Sequence, residues 1–246
     1  MISLPIPLIS SDVVQVIHGH HSFASTIPFD HISDVKEIHM HPGYQSLGGI
    51  DHDICLLKID PIELDQNTEI VCLPEAGNHV QPDFQRAQKM NSCFVAGWGY
   101  LDISIGITPN ELQSVNVNIY SDEYCIENAQ QPTTDNFRPS VEFCAGHMAG
   151  GKDSCSGDSG GPLICVENGQ PVQYGVVSWG IGCASPTNPG VYAEVASFIG
   201  WMEQIINGEV VTTEQDSSTV EVTATETTSA TSEMTSTTTR TYKPLS

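Results

Sequence analysis

Short apolar runs recur along most of the chain, separated by clusters of Gly, Pro and Asn. Segments 13–17, 53–59, 93–98, 112–119, 162–166, 172–179 and 190–195 have strand length and lie between turn-forming residues. Strands at this spacing, with few helical stretches between them, predict an all-β barrel or sandwich. One segment has a different period. Phe198, Trp201, Met202 and Ile205 fall at i, i+3, i+4 and i+7, the stripe of an amphipathic helix. Ser197 is its expected N-cap and Asn207-Gly208 its expected stop. No internal repeat is visible.

The pattern ends near Gly208. Of the 38 residues in 209–246, 13 are Thr and 6 are Ser, and Tyr242 is the one aromatic. Such a segment cannot bury enough apolar surface to fold, so a disordered tail is expected there. Two readings of it stand side by side: a plain disordered tail, or an O-glycosylated, mucin-like stalk.

Charge narrows the range of partners. Thirty Asp+Glu against 8 Lys+Arg give a net charge of −22 over 246 residues. A polyanionic nucleic acid or an anionic membrane surface would be repelled. No apolar run reaches the roughly 18 residues a membrane-crossing helix needs, so no membrane span is expected. The 8 cysteines include no paired CxxC units of the kind that hold zinc. They read instead as disulfide formers of an extracellular, secreted protein. A secretory signal peptide is not present in this chain: the start has no basic residue, and Pro5 and Pro7 interrupt its short apolar run.

The most informative segment is Asp153-Ser-Cys-Ser-Gly-Asp-Ser-Gly-Gly-Pro162. Three glycines surround Ser159, letting the backbone turn tightly and a substrate approach it. A serine on such a turn becomes a nucleophile once a base takes its proton. The amides of Gly157 and Ser159 could then converge on a developing oxyanion.

With its context, this segment resembles the trypsin/chymotrypsin-like serine proteases. The context is Lys152-Asp-Ser-Cys155 before it and Val176-Val-Ser-Trp-Gly-Ile-Gly-Cys183 and Asn188-Pro-Gly-Val-Tyr192 after it. Asp51-His-Asp-Ile-Cys-Leu-Leu-Lys58 resembles the strand with the triad aspartate. Cys93-Phe-Val-Ala-Gly-Trp-Gly99 resembles the strand that opens the second barrel, and Phe143-Cys-Ala-Gly146 the approach to the specificity pocket. The resemblance spans 13–208. It implies two antiparallel β-barrels with the active site between them, the first barrel incomplete here, and a C-terminal helix. The triad chemistry is that of this family's worked example.

Carried over by position, the resemblance makes Ser159 the nucleophile and Asp53 the triad carboxylate, with Gly157 and Ser159 as oxyanion-hole amides. Asp153 becomes the acid at the floor of the primary specificity pocket, favouring Arg and Lys. Gly180 and Gly190 are its small walls, and Ser178, Trp179 and Gly180 belong to the strand that pairs with substrate. Asp158 is the acid that an activation-cleaved N-terminal amine would meet. The implied disulfides are Cys93–Cys165, Cys125–Cys144 and Cys155–Cys183. Cys55 is expected to be a buried free thiol, and Cys72 matches a position whose partner lies upstream of the protease domain.

The chain departs from the family at its start. The triad histidine should stand in an Ala-Ala-His-Cys motif. Counting back from the resembling strand places it near Leu8, where no imidazole exists. His52 lies beside the aspartate rather than facing the serine. The activation terminus and the first strands are missing too, which would leave Asp158 a buried carboxylate without its partner. Residues 1–12 therefore read as a start foreign to the domain. The histidines, eight of nine before Val80, read as surface residues, and no metal or cofactor is implied. His20 stands where a calcium-binding acid would be in some relatives.

The sequence thus predicts a secreted serine endopeptidase domain over 13–208, cleaving proteins and peptides after Arg or Lys, and nearly inactive as it stands because the base is missing. Protein protease inhibitors and an upstream activating protease are its expected partners. The alternative is a non-catalytic serine protease homologue acting as a secreted binding or regulatory module.

Overall fold

Three strands in the N-terminal third pair into one antiparallel sheet: β1 (Gln15–Ile17), β2 (Ile32–Met40) and β3 (Cys55–Ile59), in that order. Six more close into an antiparallel barrel. These are β4 (Met90–Gly97), β5 (Gln113–Ile119), β6 (Glu142–Gly146), β7 (Pro162–Glu167), β8 (Gln170–Trp179) and β9 (Gly190–Glu194), arranged β4-β5-β6-β9-β8-β7. Two short helices complete the fold, α1 (Asp122–Asn128) and α2 (Ile199–Ile206). The structure is a computed structural model and describes residues 11–28, 31–46, 49–80, 82, 90–129 and 137–208. The tail expected at 209–246 and most of the start expected to be foreign (1–12) lie outside the described residues. Among those described, no helix is long and apolar enough to cross a membrane.

The all-β class and the second barrel are as expected, and the first barrel is represented by the three-stranded sheet. Closure of the six strands leaves that barrel no open edge. Its interior is filled by Val95, Val117, Ile119, Phe143, Leu163, Tyr174 and Tyr192. Each such side chain contributes roughly 1.5–3 kcal/mol by leaving water. Cys93–Cys165 joins facing strands β4 and β7 across a sequence separation of 72 residues. Cys125–Cys144 ties α1 to β6, and Cys155–Cys183 ties the segment before Ser159 to the loop after β8. All three bridges are those the resemblance implies.

α2 carries the predicted stripe. Phe198, Trp201 and Met202 are buried with Ile54, Ala193 and Val195, and Leu56 of β3 packs against the same cluster. The helix thus joins the N-terminal sheet to the barrel. Its stop is as expected, with Asn207 as C-cap and Gly208 at φ +72°. Its start is not. A 3₁₀ turn (Val195–Ser197) precedes it, Phe198 is the N-cap residue, and the Ser197 hydroxyl donates to the Ser140 carbonyl at 3.0 Å. The hydroxyl is thus turned to a carbonyl just before β6 instead of toward the helix amides.

Three elements escape the pattern of apolar runs: β2, β6 and α1. β2 (ISDVKEIHM) carries charges on its exposed positions, and its register with β3 shifts between Val35 and Glu37, which breaks the alternation. α1 buries only Cys125, so it shows no stripe. Ser121 caps it, its hydroxyl accepting from the Tyr124 amide at 3.3 Å.

Cys55 is exposed rather than buried. Leu56 takes the inner position on β3, and strand alternation turns Cys55 to the other face. Its partner across β2, Met40, is 45% exposed as well. Cys72 is also an exposed free thiol; its backbone bridges Val172 of β8.

Candidate active site

The turns around Ser159 are fixed by their own backbone. Asp158 N donates to Cys155 O at 2.9 Å, and Gly161 N donates to Asp158 O at 2.8 Å. Gly157 stands at φ +100°, a conformation that side chains other than glycine's rarely permit, and a Cβ there would lie 3.1 Å from Gly99 Cα. Two further bonds fasten the segment to β8: Gly160 N to Val177 O and Val177 N to Gly161 O, each 2.9 Å. Ser159 itself is exposed.

The next residue of β8 carries the link to the other sheet. The β8–β9 register shifts between Val177 and Trp179, making Ser178 the extra residue of a bulge. Its hydroxyl donates to Asp53 Oδ2 at 2.7 Å. Ser159 and Asp53 are therefore brought to one place, each a short step from the Val177-Ser178 pair. Burial pushes the Asp53 carboxyl above its ordinary range, and the Ser178 hydrogen bond pulls it partly back.

No histidine completes this group among the described residues. His52 Nδ1 pairs with Asp51 Oδ2 at 3.1 Å, not with Asp53. His41 stacks on His52 with ring centroids 4.9 Å apart, and its Nδ1 accepts from the Gly43 amide at 3.1 Å. His18 stacks on His31 at 5.3 Å. These rings are half-buried, not surface groups as the sequence reading expected. Ring stacking and the apolar wall of Phe198 and Trp201 around His41 account for the difference. No group of three potential metal ligands occurs among the described residues.

Asp153 lies six residues before Ser159, beside Gly190. A Cβ on Gly190 would sit 2.8 Å from Asp153 Oδ1, and one on Gly180 would sit 3.6 Å from Gly190 Cα. Gly190 thus lies against the carboxylate, and Gly180 lies against Gly190. Asp153 Oδ1 accepts from Ser154 N at 2.8 Å, and Oδ2 accepts from Ala184 N at 3.1 Å. The second donor is positioned by the neighbouring Cys155–Cys183 bridge. Burial outweighs these bonds and pushes the Asp153 carboxyl up to about 6.

Asp158 is not without partners. Its Oδ1 accepts from Gly99 N at 2.7 Å and its Oδ2 from Cys155 N at 2.9 Å. It borders a cavity of about 470 Å³ lined also by Gly97, Gly99, Tyr100, Asp153 and Ala184. Two amide donors make the expected orphan a hydrogen-bonded carboxylate.

The family model described as Trypsin matches residues 8–202. The chain belongs to the trypsin family. It is similar to a trypsin of Xenopus laevis, 38% identical over 195 residues, covering 79% of this chain and 72% of the frog protein. A Salmo salar trypsin-3 is 37% identical over the same length, covering 79% of this chain and 74% of the salmon protein. A cationic trypsin-3 of Rattus norvegicus is 35% identical over 194 residues, covering 78% and 71% respectively. Within the trypsin-family frame, the structure brings together Ser159, Gly157, Asp53, Ser178, Asp153, Gly180 and Gly190.

One residue of this neighbourhood is absent from the sequence reading. Glu142, the first residue of β6, is 2% exposed and accepts the indole N–H of Trp179 at Oε1, 3.1 Å away. The only signal for it is a lone acid heading a strand that is otherwise apolar, Glu-Phe-Cys-Ala-Gly.

Proposed function

We propose that this chain is the protease domain of a serine endopeptidase with trypsin-like specificity, cleaving proteins after Arg or Lys. The observation that carries the reading is the Asp153 carboxylate set against Gly190, which Gly180 adjoins, on the same segment as the exposed Ser159. By the family's pattern a long basic side chain runs past Gly180 and Gly190, which lack side chains to block it, and pairs with Asp153 at the floor. Ser159 Oγ attacks the peptide carbonyl carbon, its proton passes through a base to the leaving amine, and the acyl-enzyme is hydrolysed by water. The amides of Gly157 and Ser159 stabilise the oxyanion.

The base is the weak point of this chain. Asp53 would orient an imidazole, yet its hydrogen-bond partner among the described residues is the Ser178 hydroxyl. We infer that 1–246 alone turns over poorly. Purified 1–246 should hydrolyse Arg and Lys esters no faster than its Ser159→Ala variant. A rate abolished by that substitution would overturn the inference. The specificity reading is tested separately by benzamidine, which carries the same planar cation as an Arg side chain. Binding that disappears in Asp153→Ser supports it; binding unchanged by that substitution sinks it.

A second reading, a non-catalytic homologue acting as a secreted binding module, draws on the same absence of an imidazole at Asp53. Labelling of Ser159 by a serine-directed fluorophosphonate in native secreted material would eliminate it. Three disulfides support an oxidising, extracellular setting. Protein inhibitors and an activating protease belong to this proposal as partners.

A further inference from the structure

Trp179 is buried with Phe137, Val191 and the Cys125–Cys144 bridge, directly after the Ser178 that bonds Asp53. A buried indole N–H needs an acceptor, and any carbonyl would serve. Here the acceptor is an ionisable acid. Glu142 and Trp179 reach each other across β9, which lies between β6 and β8. The second oxygen of Glu142 is also engaged, accepting from Arg138 N at 2.8 Å.

We propose that Glu142 is the positioning residue for Trp179, and that through this indole it adjusts the groove that receives the peptide substrate next to Ser178. The proposal rests on the endopeptidase reading and deepens it. An ionised carboxylate accepts roughly twice as strongly as a neutral one, so the indole is held firmly when Glu142 is charged and loosely when it is not. The charged groups that face Glu142 pull in opposite directions. Arg138 favours the ionised form, and the fully buried Asp51, itself bonded to His52 and to the Ser46 hydroxyl, opposes it. Burial dominates and pushes the carboxyl up to about 7. The switch between firm and loose therefore falls near neutral pH.

The test uses the indole resonance of Trp179, assigned among the three tryptophans with Trp179→Phe. In the native protein the Trp179 indole proton should shift with a midpoint near neutrality, while those of Trp98 and Trp201 do not follow it. In Glu142→Gln, which keeps an oxygen acceptor but cannot ionise, the Trp179 signal should be flat. A signal that does not move in the native protein, or that titrates equally in the variant, overturns the proposal. A native signal that stays flat overturns the proposal even if the variant fails to fold.

Groove function is read from two ligands: a tripeptide amide ending in Arg, and benzamidine, which fills only the Asp153 pocket. Their affinity ratio cancels the Asp153 titration that both share. From pH 8 to pH 6 the ratio should move about three- to tenfold against the peptide, and in Glu142→Gln it should stay constant. A constant ratio in the native protein would overturn the groove role. If benzamidine does not bind at all, the endopeptidase reading fails at its pocket. The indole titration then still decides whether Glu142 sets Trp179.

Discussion

Ser178 donates its hydroxyl to Asp53 at 2.7 Å across 125 residues of sequence, joining the barrel to the N-terminal sheet by one charge-assisted bond. Burial raises the Asp53 carboxyl and this bond lowers it. Ser178→Ala should therefore raise the Asp53 pKa further and destabilise the fold by about 1–2 kcal/mol at neutral pH. The sign follows from linkage. A carboxyl that titrates high in the folded state binds more protons there than when unfolded, so its ionisation costs stability as pH rises through the folded value. Urea denaturation should show a gap between native and variant at pH 7.5 that narrows at acid pH. An equal gap at both would mean the hydroxyl does not act through the charge.

The Asp153 pocket should lose its preference for cations in acid. Its carboxyl, pushed up to about 6, is neutral below that value and has no charge to pair with a guanidinium. Benzamidine affinity should fall about tenfold per pH unit well below the transition and level off above it. Calorimetric titration across pH 4.5–8 checks this; affinity independent of pH would mean that Asp153 is not the group the cation meets.

Gly190 offers a test of pocket shape. Its Cβ would lie 2.8 Å from Asp153 Oδ1 and 3.3 Å from Ser154 Oγ. Gly190→Ala should displace the carboxylate or occupy the space beside it, at an overpacking cost of about 1–3 kcal/mol. Binding of basic ligands should fall by at least about tenfold, more than the stability loss alone explains. Undiminished binding would place the pocket elsewhere.

The His41–His52 stack predicts an acid-sensitive joint between the N-terminal sheet and α2. Burial and the neighbouring His52 lower the His41 pKa, and Phe198 and Trp201 pack against its ring. The folded state then binds fewer protons than the unfolded one. Stability contributed here is complete above the ordinary histidine value and is lost as pH falls from there through the lowered folded value. Several buried carboxyls act in the opposite sense over the same range, so the useful quantity is a difference. Between pH 7.5 and pH 5.5, His41→Phe should lose less thermal stability than the native protein. An identical loss in both would remove His41 from the account.

The nucleophile loop, the pocket acid and the three disulfides were legible because each is carried by a short run of residues with glycines or cysteines at fixed offsets. Strands β3–β5 and β7–β9 were legible from their apolar runs, to within a few residues. What stayed hidden depends on partners distant in sequence. Ser197 reads as a cap until the Ser140 carbonyl is placed beside it. Cys55 reads as buried until Leu56 is seen to take the inner face. Glu142 reads as an unremarkable acid until β6 and β8 flank β9 and bring Trp179 within reach. His18, His31, His41 and His52 were read as surface groups, whereas the structure stacks them in two pairs whose members are distant in sequence.

The bulge at Ser178 makes chain length as decisive as chemistry at this position. Exchanging the serine removes one hydroxyl and leaves Val177 and Trp179 opposite Tyr192 and Val191. Excising it would close the ladder with Trp179 still opposite Val191, and the bend and added twist of the bulge would go with it. The chain that leads on to Gly180 would be re-aimed. Substitution here is a local loss, whereas deletion straightens the strand between groove and pocket. Variation around this site should therefore run to exchanges of residue and not to changes in their number.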